Sequence, residues 1–190
     1  MLFFETIKIE KQKAFHLEYH EKRIQTALKS IHEIPFFSLK EIIQAPTNTL
    51  LRCKVSYNAS SVRVEYFEYT PRRIKTLQSL TCKDLDYTYK YTNREKLMHC
   101  FNERKEADDI LIIQNNYIQD TSIANIAFKI NHQWFTPKTP LLYGTTRARL
   151  MDEGLLHVRA LRLDDISNCE GFALMNAMIG FHQVADGIIL

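Results

Sequence analysis

The stretch 108–149 constrains the fold most, because it alternates short apolar runs with turn residues and then begins a helix-like segment. The run Ile110–Ile113 is broken by Asn115–Asn116, and a second β-rich run, Ile126–Ile130, turns at Asn131–His132. Short runs of this kind, bounded by turn residues, are typical of strands. The sequence therefore predicts a sheet followed by a helix, in a mixed α/β fold.

Two features of this stretch predict chemistry. Asp120 lies between the two runs, and Gly144, Thr145 and Thr146 stand at the start of the predicted helix. Free backbone N–H groups at a helix N-terminus suit a phosphate. A carboxylate and a phosphate site close together in sequence indicate a ligand with one phosphate and one cationic ring atom.

Length and composition limit the class of protein. At 190 residues the chain can form one large domain or two small ones. A hydrophobic content of 45% is ordinary for a globular protein, and a net charge of +3 favours anionic ligands weakly without indicating nucleic acid. The four cysteines are widely spaced, so we expect reduced thiols and no metal site.

The apolar runs of the chain predict neither a targeting segment nor a membrane segment. Met1–Phe4 is too short for the core of a signal peptide, and the charged residues Glu5 and Lys8 follow at once. No apolar run approaches the length of a membrane span. We therefore expect a cytoplasmic protein.

The first half of the chain predicts strands around one helix. Phe3–Ile9 predicts a strand, the apolar residues from about Glu18 to Ile31 have helical spacing, and Leu50–Tyr57 with Val62–Tyr69 predicts a hairpin. Arg23 lies on this helix and, taken by itself, is typical of a solvated surface arginine.

Lys90 stands between aromatic residues, just before a helix predicted from about Arg94 to Arg104. A single lysine among 25 basic residues is most often a surface charge. Burial in an aromatic setting would instead lower the pKa of its amine and leave it available as a nucleophile. The segment around Lys90 predicts a link between two domains, an N-terminal α+β domain 1–85 and a C-terminal cofactor-binding domain 86–190.

Asn176 interrupts the apolar run 171–180 near the C-terminus. A buried amide needs hydrogen-bond partners, so Asn176 is either a turn residue or a ligand contact. The chain has only five glycines and no glycine-rich nucleotide loop.

Six short motifs follow one another along nearly the whole chain. They are Phe4–Ile7 (FETI), His20–Arg23 (HEKR), Tyr89–Arg94 (YKYTNR), Tyr117–Ile126 (YIQDTSIANI), Thr136–Pro137 with Leu142–Arg147 (TP and LYGTTR), and Met175–Ala177 (MNA). Together they resemble the class IV family of pyridoxal-phosphate enzymes, which includes aminodeoxychorismate lyase, branched-chain aminotransferase and D-amino acid aminotransferase.

The resemblance implies a role for each candidate residue. Lys90 is implied to bind pyridoxal 5'-phosphate covalently and, once released by the substrate, to act as the general acid and base. Asp120, where the family normally has a glutamate, is implied to keep the pyridine nitrogen protonated. The residues implied to hold the phosphate are Arg23, Gly144, Thr145, Thr146, Asn176 and Ala177.

The resemblance also implies a fold and an assembly. It predicts a two-domain fold like that of D-amino acid aminotransferase, with the cofactor in the interdomain cleft, and a homodimer. The chain begins almost at the FETI motif, so we expect the strands and loop that precede this motif in the family to be absent.

Three functions stay open at this point. The first is a lyase that eliminates pyruvate from 4-amino-4-deoxychorismate to give p-aminobenzoate, and the second is an aminotransferase for branched-chain or D-amino acids. The third is a degenerate, non-catalytic binding protein. The combination of Lys90, Asp120 and Arg23 argues against the third, and Met175–Ala177 resembles the lyase branch. A net positive charge also suits a substrate that is an anionic amino compound.

Overall fold

The chain divides into two compact units that interleave in sequence. A computed structural model describes residues 1–45, 48–184 and 186–190. The first unit comprises Met1–Pro71 and Tyr89–Asn93, and the second comprises Arg72–Thr88 and Arg94–Leu190. This division differs from the predicted boundary between residues 85 and 86, because the residues just after 71 form a strand that pairs inside the second unit.

The described residues of the first unit form a four-stranded antiparallel sheet and two helices. The strands have the order β2-β1-β3-β4. The elements are β1 (Phe3–Glu10), β2 (Lys13–Ala14), α1 (Leu17–Lys29), α2 (Leu39–Ile42), β3 (Leu51–Tyr57) and β4 (Val62–Glu68). The predicted strand, helix and hairpin of this half of the chain are therefore all present, with ends that differ by a few residues.

Strand β1 shows why the helix packs where it does. Every second side chain of this strand is fully buried, and successive side chains of a strand point to opposite faces of its sheet. The apolar residues of the inner face share one core with Ile24 and Leu28 of α1. The outer face carries Phe4, Thr6 and Lys8, which are partly exposed. One polar residue, Glu5, lies on the inner face with the apolar ones.

The described residues of the second unit form two sheets, two α-helices and a 3-10 helix, Asp164–Ile166. One sheet has the order β10-β9-β8-β11-β12 and the other β13-β5-β6-β7. The elements are β5 (Thr76–Thr81), α3 (Glu95–Asn102), β6 (Asp109–Gln114), β7 (Tyr117–Ile118), β8 (Asn125–Ile130), β9 (Gln133–Pro137), α4 (Thr145–Asp152), β10 (His157–Arg159), β11 (Phe172–Asn176), β12 (Gly180–Val184) and β13 (Ile188–Ile189). Leu111 of β6 and Phe128 of β8 lie in one core, so the two sheets pack on each other.

Tight turns connect several of these strands. The two-residue loops Lys11–Gln12, Asn115–Asn116 and Asn131–His132 all have positive φ angles at both positions. This geometry matches the twist of antiparallel strands, and asparagine tolerates it well. Gly154, with a φ of 72°, follows α4 in the left-handed conformation that glycine often adopts after the end of a helix.

Two further observations concern the C-terminal part and the helices in general. Strand β10 is short, because only His157–Arg159 pairs with β9 while Leu156 and Leu161 are buried in cores. Among the residues that the structure describes, no helix is both long and apolar enough to cross a membrane.

Candidate active site

A buried ionic cluster of the first unit holds the predicted phosphate-binding arginine. Glu5 is fully buried on β1 and faces α1. Its Oε1 accepts a hydrogen bond from Arg23 Nε at 2.9 Å, and its Oε2 accepts one from Arg23 Nη2. His20 Nδ1 lies 2.6 Å from the same Oε2. His20 and Arg23 reach one carboxylate because residues three apart share a face of a helix.

The charges of this cluster follow from its burial. Burial alone would raise the pKa of Glu5, but the Arg23 guanidinium and His20 outweigh it and lower the pKa to about 2. Burial lowers the pKa of His20, although its hydrogen bond to Glu5 opposes this. Near neutral pH the cluster is therefore an ionised Glu5, a charged Arg23 and a neutral His20 whose Nδ1–H donates to Glu5.

This arrangement fixes the Arg23 guanidinium in one orientation. Two of its nitrogens donate to one carboxylate, which is the paired geometry that an arginine forms most strongly. The arginine side chain stays 13% exposed. The sequence indicated Arg23 but gave Glu5 no role, although an acidic residue at an inward position of an alternating strand is a detectable signal of a buried ion pair.

The segment that carries Lys90 lies along the edge of β1. The backbone N–H of Phe4 donates to the Lys90 carbonyl at 2.9 Å, and the N–H of Thr92 donates to the carbonyl of Leu2 at 3.0 Å. Lys90 is half-buried, and its Nζ lies 4.6 Å from the centroid of the Phe4 ring. The amine is thus in the aromatic setting that the sequence predicted, within the same unit as Arg23.

In the second unit, Asp120 is a buried carboxylate with two fixed hydrogen-bond donors. It is 3% exposed. Its Oδ1 accepts from Asn125 Nδ2 at 2.7 Å, and its Oδ2 accepts from the backbone N–H of Leu142 at 2.9 Å. Burial raises the pKa of Asp120 to about 7, while these donors and the charge of Arg147 oppose the rise. A cationic ligand atom next to this carboxylate would favour its ionised form.

A tight loop places Asn125 opposite Asp120. The two residues form an isolated antiparallel bridge. Between them, the backbone N–H and the hydroxyl of Thr121 both donate to the carbonyl of Ala124. Asn125 had no predicted role. An amide five residues after a carboxylate, across a Thr-Ser turn, is nevertheless a pattern that indicates a contact between the two side chains.

The predicted glycine and hydroxyl residues are found at the start of α4. Gly144 is the N-cap residue, and Thr145 and Thr146 are buried in the first turn of the helix. The N–H groups of a first helical turn have no partner inside the helix. Next in sequence, Arg147 donates to the carbonyl of Pro137 at 2.9 Å, which anchors the helix to β9. This start of a helix has the chemistry that suits an anion.

Asn176 acts as a turn residue between β11 and β12. Its Oδ1 accepts from the backbone N–H groups of Met178 at 2.9 Å and Ile179 at 3.1 Å. Its Nδ2 donates to the carbonyl of Ile123 at 3.3 Å, which joins this turn to the loop that follows Asp120. The turn alternative of the sequence analysis is thus observed for Asn176, and a contact of Asn176 or Ala177 with a cofactor stays a prediction.

Comparison with known proteins places the chain in a family. The sequence profile of the family described as "Amino-transferase class IV" matches residues 2–186. The protein belongs to the class IV aminotransferase family. Its fold is accordingly that of the fold-IV transaminases, as the resemblance implied.

Individual relatives extend over most of the chain. An uncharacterized protein of Haemophilus influenzae is 37% identical over 183 residues, covering 93% of this chain and 97% of its own. A "putative aminodeoxychorismate lyase" of Schizosaccharomyces pombe is 26% identical, with coverages of 93% and 84%. The crystal structure of a "putative 4-amino-4-deoxychorismate lyase" from Haemophilus somnus has a TM-score of 0.87 at 31% identity, with coverages of 94% and 97%.

A more distant solved structure shows the fold together with the family cofactor. A hypothetical aminotransferase from Mycobacterium tuberculosis in its PLP-bound form has a TM-score of 0.82 at 17% identity, covering 98% of this chain and 81% of its own. At this identity the likeness concerns the fold alone. The chain therefore shares the fold of a protein that has been solved with pyridoxal phosphate bound.

Proposed function

We propose that this protein is a pyridoxal-phosphate-dependent lyase that converts 4-amino-4-deoxychorismate into p-aminobenzoate and pyruvate. The observation that carries the proposal is the buried Asp120 carboxylate, which two N–H donors hold in one orientation. It stands where the class IV motif has the acidic residue that pairs with the pyridine nitrogen. The names of two relatives, at 31% and 26% identity, favour the lyase over the aminotransferase.

The donor groups of the two units match the functional groups of the cofactor. Asp120 is a buried carboxylate suited to a protonated ring nitrogen, and the half-buried amine of Lys90 is suited to the aldehyde. The phosphate carries negative charge, for which the fixed guanidinium of Arg23 and the start of α4 at Gly144 are suitable partners. In this proposal, Asp120, Lys90, Arg23 and the start of α4 are each suited to a different functional group of the cofactor.

The residues then have separate tasks. When bound, pyridoxal phosphate withdraws electrons from the carbon that carries the substrate amine. Asp120 holds the proton on the ring nitrogen, since an ionised carboxylate raises the pKa of a cation beside it. With its amine free, Lys90 would remove the proton from the ring carbon that bears the substrate amine. The bond from the neighbouring carbon to the ether oxygen breaks, and the departing enolpyruvate takes up a proton to become pyruvate.

The outer face of the first sheet suits an anionic substrate. Lys90 lies over Phe4 on β1, and Lys8 is on the same face of that strand. Lys8 lies opposite Arg52 of the neighbouring strand β3. Lys54 of β3 lies opposite Thr6, which is two residues closer to Phe4 along β1. Acidic residues balance part of this charge, through ion pairs such as Lys8–Glu10 at 2.9 Å. A substrate with two carboxylates would be attracted to such a surface.

The test supplies 4-amino-4-deoxychorismate to the purified, cofactor-loaded protein without any oxo acid. We expect p-aminobenzoate, followed by its fluorescence, and an equal amount of pyruvate, followed with lactate dehydrogenase. If neither product forms and pyridoxamine phosphate accumulates from ordinary amino acids, the protein is an aminotransferase. If no visible absorption develops after reconstitution, it is a binding protein without the cofactor. The implied homodimer stays a prediction, which light scattering would check.

A further inference from the structure

We propose that Asn125 is a positioning residue, whose amide fixes the Asp120 carboxylate and the loop before α4 in a single arrangement. This inference rests on the proposed function, in which Asp120 binds the ring nitrogen of the cofactor. It assigns the glycine at position 144 a second task, which is to leave space for that amide.

Both hydrogens of the Asn125 amide are used. Nδ2 donates to Asp120 Oδ1 at 2.7 Å and to the Leu142 carbonyl at 2.8 Å. The N–H of Leu142 donates back to Asp120 Oδ2 at 2.9 Å. The three hydrogen bonds form a closed ring, and Asn125 is only 6% exposed. A carboxylate with one fixed donor on each oxygen cannot rotate without breaking a bond, so its remaining lone pairs point in fixed directions.

Gly144 supplies an independent observation. A Cβ built on this residue would meet Asn125 first, since its three nearest heavy atoms are Oδ1, Cγ and Nδ2 of that side chain. The backbone of Gly144, with φ −72° and ψ 145°, is one that any residue can adopt. Position 144 therefore needs glycine because the Asn125 amide fills the space that a side chain would take, and not because of the backbone conformation.

A role confined to stability makes a different prediction from a positioning role. If Asn125 only holds the loop together, its loss lowers the melting temperature and leaves the titration of Asp120 unchanged. If it positions the carboxylate, removing the donor while keeping the volume disfavours the ionised form of Asp120. Asn125→Leu makes this change, because leucine has nearly the same shape and no N–H group.

The first measurement uses the protein without cofactor. The carboxyl carbons of aspartate are labelled with 13C, the Asp120 signal is assigned by its loss in Asp120→Asn, and its pKa is measured by NMR. We expect Asn125→Leu to raise this pKa by about one pH unit, since a hydrogen bond to a charged group contributes on this scale. Gln114→Leu is the matched control, because the Gln114 carboxamide also donates two hydrogen bonds, in this case both to backbone carbonyls. We expect it to leave the pKa of Asp120 unchanged.

The second measurement is a double-mutant cycle on the affinity for pyridoxal phosphate. Asn125→Ala and Gly144→Ala should each weaken binding by about 10-fold, the second by pushing the amide out of place. In the double variant the added methyl group occupies the space that the amide has left. We therefore expect it to bind no more weakly than Asn125→Ala alone. Multiplied losses, of about 100-fold, would show that Gly144 acts by itself and would overturn the proposal.

The two measurements separate this inference from the proposed function. If the wild-type protein binds no pyridoxal phosphate, the proposed function fails, and the titration of Asp120 still decides whether Asn125 positions it. If the cofactor binds but Asn125→Leu leaves the Asp120 pKa where it was, the positioning role is refuted and the proposed function stands.

Discussion

Glu5→Gln is the substitution whose effect follows most directly from the structure. It keeps the size of the side chain and removes the charge that Arg23 and His20 face inside the first unit. The pKa of Glu5 falls from 4.5 to about 2 on folding, and at about 1.4 kcal/mol per pH unit this fall corresponds to roughly 3 kcal/mol. We therefore expect Glu5→Gln to lower the free energy of unfolding by about 3 kcal/mol at pH 7.

The effect has a pH dependence of known sign. Because the folded-state pKa is the lower one, the stabilisation by Glu5 is complete above pH 4.5 and is lost as the pH falls towards 2. At pH 3 about 2 kcal/mol of it should be gone, so the difference between wild type and variant should shrink to about 1 kcal/mol. Urea unfolding of the cofactor-free protein, followed by circular dichroism at several pH values, measures both quantities.

A control on the same sheet makes the result specific. Glu65 on β4 pairs with Arg63 at 3.0 Å, but both residues are partly exposed. Glu65→Gln should therefore cost no more than about 1 kcal/mol. A loss below about 1 kcal/mol for Glu5→Gln, or a loss that is equal at pH 7 and pH 3, would refute the account of this buried cluster.

Three other predictions concern the cofactor. Borohydride reduction of the loaded protein, followed by peptide mapping, should place the label on Lys90, and a label on a different lysine would contradict the assignment. Arg23→Ala should weaken cofactor affinity by about 10- to 100-fold, because it removes charge-assisted hydrogen bonds to the phosphate, and it should affect turnover less once the cofactor is saturating. An unchanged affinity in a spectroscopic titration would argue against this role. Asp120→Asn should retain the cofactor and lose most of its turnover, because a neutral amide cannot hold the ring nitrogen protonated; full activity in the product assay would show the role to be wrong.

Local patterns predicted the elements of the fold well. The alternation in Phe3–Ile9 and the turn residues Asn115–Asn116 and Asn131–His132 act over a few residues, so the sequence alone indicates them. The division into units was not predictable in this way. It depends on parallel pairing between β5 and β6, in which Leu77 lies opposite Asp109, and no local pattern records such a distant partner.

The same distinction between local patterns and long-range contacts applies to the candidate site. Motifs indicated Arg23 and Asp120 but gave their partners no role. Glu5 lies in the motif before that of Arg23, and Asn125 lies in the same motif as Asp120. The first pair requires a strand and a helix to pack together, which depends on tertiary structure. The second pair requires only a tight turn over five residues, so the Thr-Ser sequence after Asp120 is enough to predict the contact between Asp120 and Asn125.

The central claim, a lyase that needs no amino acceptor, is tested most directly by counting turnovers. The loaded protein is mixed with a large excess of 4-amino-4-deoxychorismate in the absence of any oxo acid, and p-aminobenzoate is measured per bound cofactor. A lyase regenerates its cofactor in every cycle, so we predict many equivalents of product, with none from Lys90→Ala. Formation of no p-aminobenzoate, or conversion of the cofactor to pyridoxamine phosphate after a single equivalent of amine, would contradict the account.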